Sequence, residues 1–282
     1  MILLAIIMLY PYLNVVAKAF NEGYDTMRGG ITFFPRAPTL KNFIVIFRTN
    51  MILNSLFISV SRVLLGIFLA LIVQFSAAFA FTKRKIRGRS LLLVYLTIPM
   101  FFGGGLIPLY LLYSNINFLN NFLVYVIPGS FSLFNMIIIR TYLYTIPDSF
   151  EESAKLDGAN EIVVLLRIIV PLATPILATI ALWTAVGHWN DWTTTLYFVT
   201  KTKLFTLQYM LMRLLKESDE LKKIIELAIM EGKQINADNL RRPSPESIQA
   251  AQIVLTTIPI IIVYPFLQKY FIKGIMIGGV KD

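Results

Sequence analysis

Residues 151–171 read EESAKLDGANEIVVLLRIIVP, a charged stretch broken by glycine that runs straight into an apolar one. Its upstream context, IPDSFEESAKLDGA (146–159), opens like a helix. Asp148 can cap the start, Glu151 falls at the capping-box position, and Glu151 and Glu152 both suit the positive end of a helix. Glu151 and Lys155 are four apart and can pair on its surface. Asp157-Gly158 then ends the helix, because glycine takes the left-handed conformation without strain. Asn160 can cap a second helix through EIVVLLRIIV. The expected product is a short helix, a sharp bend and a second helix entering an apolar span. Ser153, Ala154, Gly158 and Ala159 are small enough to let another protein's groove approach the backbone. The alternative is a helix lying on lipid headgroups.

The rest of the chain explains why such a knuckle stands out. Of the 282 residues 56% are hydrophobic, and the mean hydropathy is +0.68. A soluble domain with that average would aggregate, so the composition points to one polytopic membrane domain rather than one or two soluble ones. With no cysteine, disulfides, thiolate metal sites and iron–sulfur clusters are excluded, and a single histidine argues against a histidine-built metal site. The net charge of +10 would suggest nucleic acid in a soluble protein. Here the basic residues flank apolar runs, which assigns them to topology and lipid headgroups, with no nucleic-acid partner.

A bilayer core takes about 20 apolar helical residues. Spans are expected near 1–20, 53–81, 90–113, 120–141, 166–189 and 250–272, in a single domain covering 1–282. The opening MILLAIIMLYPYLNVVAKAF lacks the basic start and small-residue cleavage site of a signal peptide, so it reads as the first span. FTKRKIRGRS (81–90) carries Lys83, Arg84, Lys85, Arg87 and Arg89 without an acid and belongs in the cytosol. Counting outward from it, the 142–165 loop and the C-terminal KGIMIGGVKD share that side, while 21–52 and 190–249 face outward. Within the latter, LQYMLMRLLKESDELKKIIELAIMEG has helical spacing and RRPSPES reads as a turn into the last span.

Glu152-Ser153-Ala154, two residues, Asp157-Gly158-Ala159, eight residues and then Ile168-Ile169-Val170-Pro171 resemble the EAA motif of ABC-importer permeases. Ser153 stands where the motif has a second alanine and Val170 where it has leucine. FFGGGLIPLYLL (101–112), HWNDW (188–192) and the C-terminal 244–282 extend the likeness to carbohydrate permeases. These are of the maltose-transporter G-subunit type, and most of all its polysaccharide-type, LplC-like branch. The resemblance implies an all-α polytopic fold of about six transmembrane helices with a cytoplasmic coupling helix. It implies that Glu151, Glu152, Ser153, Ala154, Asp157, Gly158, Ala159 and Pro171 dock an ATPase, with Glu152 and Asp157 as polar contacts and Ala154 and Gly158 as close-packing points. The implied partners are a second, homologous permease subunit, two ATPase subunits and an extracytoplasmic sugar-binding protein touched through 193–247. ATP and Mg2+ would be used by the ATPase, since no G-x-x-x-x-G-K-[ST] phosphate loop occurs in this chain.

For a substrate path the expected residues are Trp183, His188, Trp189, Asn190, Asp191 and Trp192 at the outer end of the fifth span, together with Arg62. Aromatic faces stack on sugar rings, and amides and carboxylates bond hydroxyls. An interfacial aromatic belt is the alternative. His188 reads as a capping or packing residue. Arg62, inside the second span, points to a cavity or an acidic partner, or else snorkels outward. Pro171, Pro175, Pro259 and Pro265 are expected to kink spans five and six. Two other readings stay open: an ion-coupled secondary transporter, with inverted repeats and deep acids, and a membrane enzyme acting on lipid-linked glycans, with acid–base groups at one face.

Overall fold

A computed structural model describes residues 2–48, 50–83, 86–230 and 244–277. Arg84, Lys85, the stretch 231–243 with the first three residues of RRPSPES, and the last five residues, on which expectations above were placed, lie outside the described residues. In chain order the helices are α1 (Ile2–Ala19), α2 (Gly23–Met27), α3 (Lys41–Arg48), α4 (Asn50–Thr82), α5 (Arg89–Phe101), α6 (Leu106–Asn115), α7 (Leu123–Val126), α8 (Leu133–Leu143), α9 (Ser149–Leu156), α10 (Glu161–Val164), α11 (Val170–Leu172), α12 (Thr174–Asn190), α13 (Thr193–Phe198), α14 (Leu207–Met230) and α15 (Pro245–Ile277). No strand occurs among the described residues, and the fold is all-α.

Among the described residues, two stretches are by themselves long and apolar enough to cross a bilayer, Met51–Thr82 and Pro245–Ile262. Three bent helix pairs are long and apolar enough together, giving up to five crossings if each pair is one span, and Ile6–Ala19 of α1 is a shorter apolar helix. The bends interrupt the stretches 90–113, 120–141 and 166–189, each of which the sequence reads as one span. α5 and α6 meet at 114° across Phe102–Gly105, where Phe102 is extended and Gly105 takes φ +83°. The glycine run is therefore a sharp helix break. Leu123–Ser130 and α8 meet at 47°. Ser132 restarts the helix there by accepting a hydrogen bond from the Asn135 amide.

The third bend is 80° and falls between Glu161–Leu172 and α12. Pro171 and Pro175 each lack the amide that a continuous helix would use. Thr174 Oγ1 donates instead to the Pro171 carbonyl at 2.7 Å, and a π-helical stretch, Leu165–Ile169, precedes the break. α15 contains Pro259 and Pro265 and is nonetheless one continuous helix.

Two compact units emerge, with boundaries inside α4 and α15: Met1–Ile58 with Thr200–Val263, and Ser59–Val199 with Tyr264–Asp282. The first is organised around buried amides. Asn42 Nδ2 donates to the carbonyls of Ala19 and Asn21, and its Oδ1 accepts from Ser247 Oγ at 3.1 Å. The second has an apolar core of Phe75, Ala78, Phe79, Met136, Ile139, Ala154, Val164 and Ile180, drawn from α4, α8, α9, α10 and α12. On α4, Leu64, Phe68 and Ile72 recur every four residues and are exposed, whereas Ala70, Gln74 and Ala78 are buried. An exposed leucine–phenylalanine face on a helix of this length is a lipid-facing stripe.

Candidate functional site

Two sites are built within the second unit. The first is the knuckle. α9 ends at Leu156, Asp157 caps it, and Gly158 takes φ +84°. The Ala159 amide donates to the Ala154 carbonyl at 2.9 Å and the Gly158 amide to the Lys155 carbonyl at 3.0 Å, the paired bonds of a Schellman turn. Asn160 Oδ1 then accepts from the Val163 amide at 2.9 Å and starts α10. The N-terminal expectation is corrected. Asp148 has helical angles and makes no side-chain cap, so the capping box does not form.

Glu151 is instead the centre of an ionic cluster. It is paired with Lys83 and, at 2.6 Å, with Lys155. Lys155 also reaches Glu161 at 2.7 Å, and Lys83 lies 3.6 Å from the same carboxylate. Partial burial pushes the Glu151 carboxyl up, but hydrogen bonds from Lys155 and Lys83 outweigh it and hold it below the ordinary value. The bond from Lys155 likewise lowers Glu161, and the bonds to Glu151 and then Glu161 raise the Lys155 amine.

Within the motif, Ala154 is buried against the apolar core of its own unit, because its side chain faces opposite to Glu152. Its smallness lets α9 lie close to α10. Glu152, Ser153, Asp157, Gly158 and Pro171 are exposed, and Glu151 and Ala159 are half-buried. The sequence reading missed Leu156, which is 90% exposed at the tip of the bend. It also missed the roles of Lys83 and Glu161. A large apolar residue directly before the Asp157-Gly158 stop was the available signal for Leu156.

The second site is a cavity of about 490 Å3 whose lining includes Arg62, Gln74, Tyr113, Trp183, His188 and Asp191. The Arg62 side chain is 3% exposed and is paired with Asp191. Its Nη1 donates to the Asp191 carbonyl at 2.8 Å, its Nε faces His188 Nδ1 at 3.4 Å, and the guanidinium sits 4.8 Å from the Tyr125 ring centre. It does not snorkel. Asp191 Oδ1 also accepts from Thr193 Oγ1 at 2.7 Å and from the Thr194 amide at 3.1 Å, so it starts α13 as well as closing α12. The His188 ring packs between Gly66 and Gly129, where added side chains would meet it. Gln74 Nε2 donates to the Ser130 carbonyl, while its buried Oε1 has no partner among the described residues.

Trp183, 43% exposed, stacks on Phe134 with ring centres 6.4 Å apart and faces the same cavity. The other expected residues do not join it. Trp189 is buried outside the lining, Asn190 Nδ2 bonds back to the Val186 carbonyl at 3.0 Å, and Trp192 precedes α13. Gly66, Gln74 and Tyr125 were not singled out from sequence, because their role depends on residues far along the chain.

Comparison with known proteins agrees with this architecture. The family model described as "Binding-protein-dependent transport system inner membrane component" matches residues 62–277. Protein LplC of Bacillus subtilis (strain 168) is 35% identical over 98% of this chain and 90% of its own length. The polygalacturonan/rhamnogalacturonan transport system permease protein YtcP of the same organism is 30% identical over 100% and 95%. A chain of a bacterial ABC transporter involved in the import of the acidic polysaccharide alginate superposes with a TM-score of 0.84 at 28% identity, covering 95% of this chain and 92% of that one. These relatives decide among the three readings left open by the sequence. The chain belongs to the binding-protein-dependent transport system inner membrane components, the permease subunits of bacterial ABC importers.

Proposed function

We propose that this chain forms half of the translocation path of an ATP-driven importer for oligosaccharides or polysaccharide fragments, and that α9 docks the ATPase. As a permease subunit it is a transport component and not an enzyme. The observation that carries the docking reading is the knuckle. A short helix fixed by a Schellman turn and an ionic cluster presents Glu152, Asp157 and the 90% exposed Leu156 together. A large apolar side chain that exposed, rimmed by carboxylates, fits a cleft on a protein partner better than it fits water.

Two ATPase subunits, using ATP and Mg2+, would close and pull this knuckle. With a second, homologous permease subunit, the chain would then alternate between outward- and inward-open states. An extracytoplasmic sugar-binding protein would deliver the substrate to the 190–249 side. The saccharide class is supported by the polygalacturonan/rhamnogalacturonan permease and by the alginate importer, and by an aromatic and hydroxyl-lined cavity in this chain. Trp183, with Arg62, His188 and Asp191 beside it, would line the path.

Co-purification tests the proposal. The ATPase is expected to follow the tagged chain stoichiometrically and to be lost from Leu156→Glu, which buries a charge in the cleft. Sugar uptake by this chain alone in liposomes, or an intact complex with Leu156→Glu, would overturn it.

A further inference from the structure

We propose that α4 is a strut that carries the ATPase stroke to the cavity, and that Lys83 is the positioning residue that clamps its cytosolic end to α9. The inference rests on the docking reading above.

The chain leading directly from the knuckle towards Asp191 is poorly suited to push. It passes the left-handed Gly158, a five-residue π-helical stretch and the 80° bend before α12. Each is a place where a helix yields. α4 offers a straighter route. From Arg62 to Thr82 it is uninterrupted and free of proline, and it rises about 30 Å at 1.5 Å per residue, which matches the hydrocarbon thickness of a bilayer. Arg62 and Lys83 thus lie about one bilayer thickness apart along this rod.

Both ends are held by charge. At the inner end the Lys83 amide donates to the Ala80 carbonyl at 3.0 Å, fixing the residue to the helix terminus. Its Nζ lies 4.1 Å from the Phe79 ring centre and is paired with Glu151 of α9. Ala154 belongs to the same buried apolar cluster as Phe75, Ala78 and Phe79, so α9 and α4 share a core as well as a charge pair. At the outer end Arg62, almost fully buried, is paired with Asp191 where α12 meets α13. A displacement of α9 therefore reaches Asp191 along one rigid rod. The Lys83 pair is half-exposed, so its role is register more than stability.

The test uses the complete importer, purified with its ATPase and reconstituted in liposomes. Lys83→Met keeps the stem over Phe79 and removes the charge. Hydrolysis stimulated by substrate-loaded binding protein, taken relative to the basal rate of the same complex, is expected to fall about fivefold or more. Lys83→Arg is expected to restore it. Hydrogen exchange gives the second readout. ATP should alter exchange at 190–195 in the parent complex and fail to do so in Lys83→Met, while α9 still responds. Full stimulation in Lys83→Met overturns the strut. So does a defect that Lys83→Arg leaves in place, or loss of the ATPase from Lys83→Met, which would make Lys83 part of the dock. A parent chain that binds no ATPase at all would instead defeat the docking reading.

Discussion

A methyl group on Gly66 would stand 3.0 Å from Cε1 of His188 and closer still to its Nε2. Glycine is needed there to admit the ring. Gly66→Ala is expected to cost about 1–3 kcal/mol, as overpacking does, and to lower the melting temperature of the detergent-solubilised protein. The same change made on top of His188→Ala should cost almost nothing, because the two residues are in contact. A wild-type melt for Gly66→Ala would refute the packing. Asp191→Asn should be harsher. It leaves the buried Arg62 without its counter-charge, at a cost of about 3–5 kcal/mol. Arg62→Gln combined with Asp191→Asn is expected to melt closer to the parent than Asp191→Asn alone does. Arg62 was legible in the sequence as a cation inside an apolar run. Gly66 was not, since glycine is ordinary in membrane helices and its neighbour lies 122 positions away.

α9 is held by turn geometry and by charge, and the two respond to different perturbations. Gly158 has open space around it and φ +84°, so Gly158→Val meets no atom but forces a β-branched residue into the left-handed region. A penalty of about 1–3 kcal/mol is expected, read as loss of transport-coupled ATP hydrolysis or of the ATPase itself, with Gly158→Asn intermediate. The ionic cluster predicts a pH profile. Glu151 and Glu161 have lowered values, so their contribution is complete above the ordinary carboxylate value of 4.5 and disappears as pH falls through the depressed values. Lys155 is raised, so its contribution is complete below 10.5 and fades only in stronger alkali. Amide protection in α9, taken as exchange relative to the intrinsic rate at each pH, should therefore be flat from about pH 5 to 10 and fall only in acid, sooner in high salt. Loss of protection near neutrality would contradict this. The helix, its glycine stop and the Asn160 cap could be read from local spacing. The failure of the capping box could not, because Asp148 takes helical angles and Glu151 is paired with Lys83, 68 positions away.

At the scale of the whole molecule, the segment outside the apolar helices is expected to matter for delivery. Deleting α14, Leu207–Met230, should abolish uptake from the binding protein while the ATPase still co-purifies; unaltered uptake would remove that role. Membrane residence, an all-helical fold and the site of the knuckle were determined by the sequence alone. Apolar length and the helix-stop residues act over a few neighbouring positions and need no knowledge of the rest of the chain. Tertiary structure decided where crossings bend, that Ala154 faces inward while Leu156 faces out, and that Arg62, His188 and Asp191 meet whereas Asn190 turns away. Those outcomes depend on contacts between residues as much as 129 positions apart, and no local pattern encodes which of several polar side chains finds a partner in a closed space.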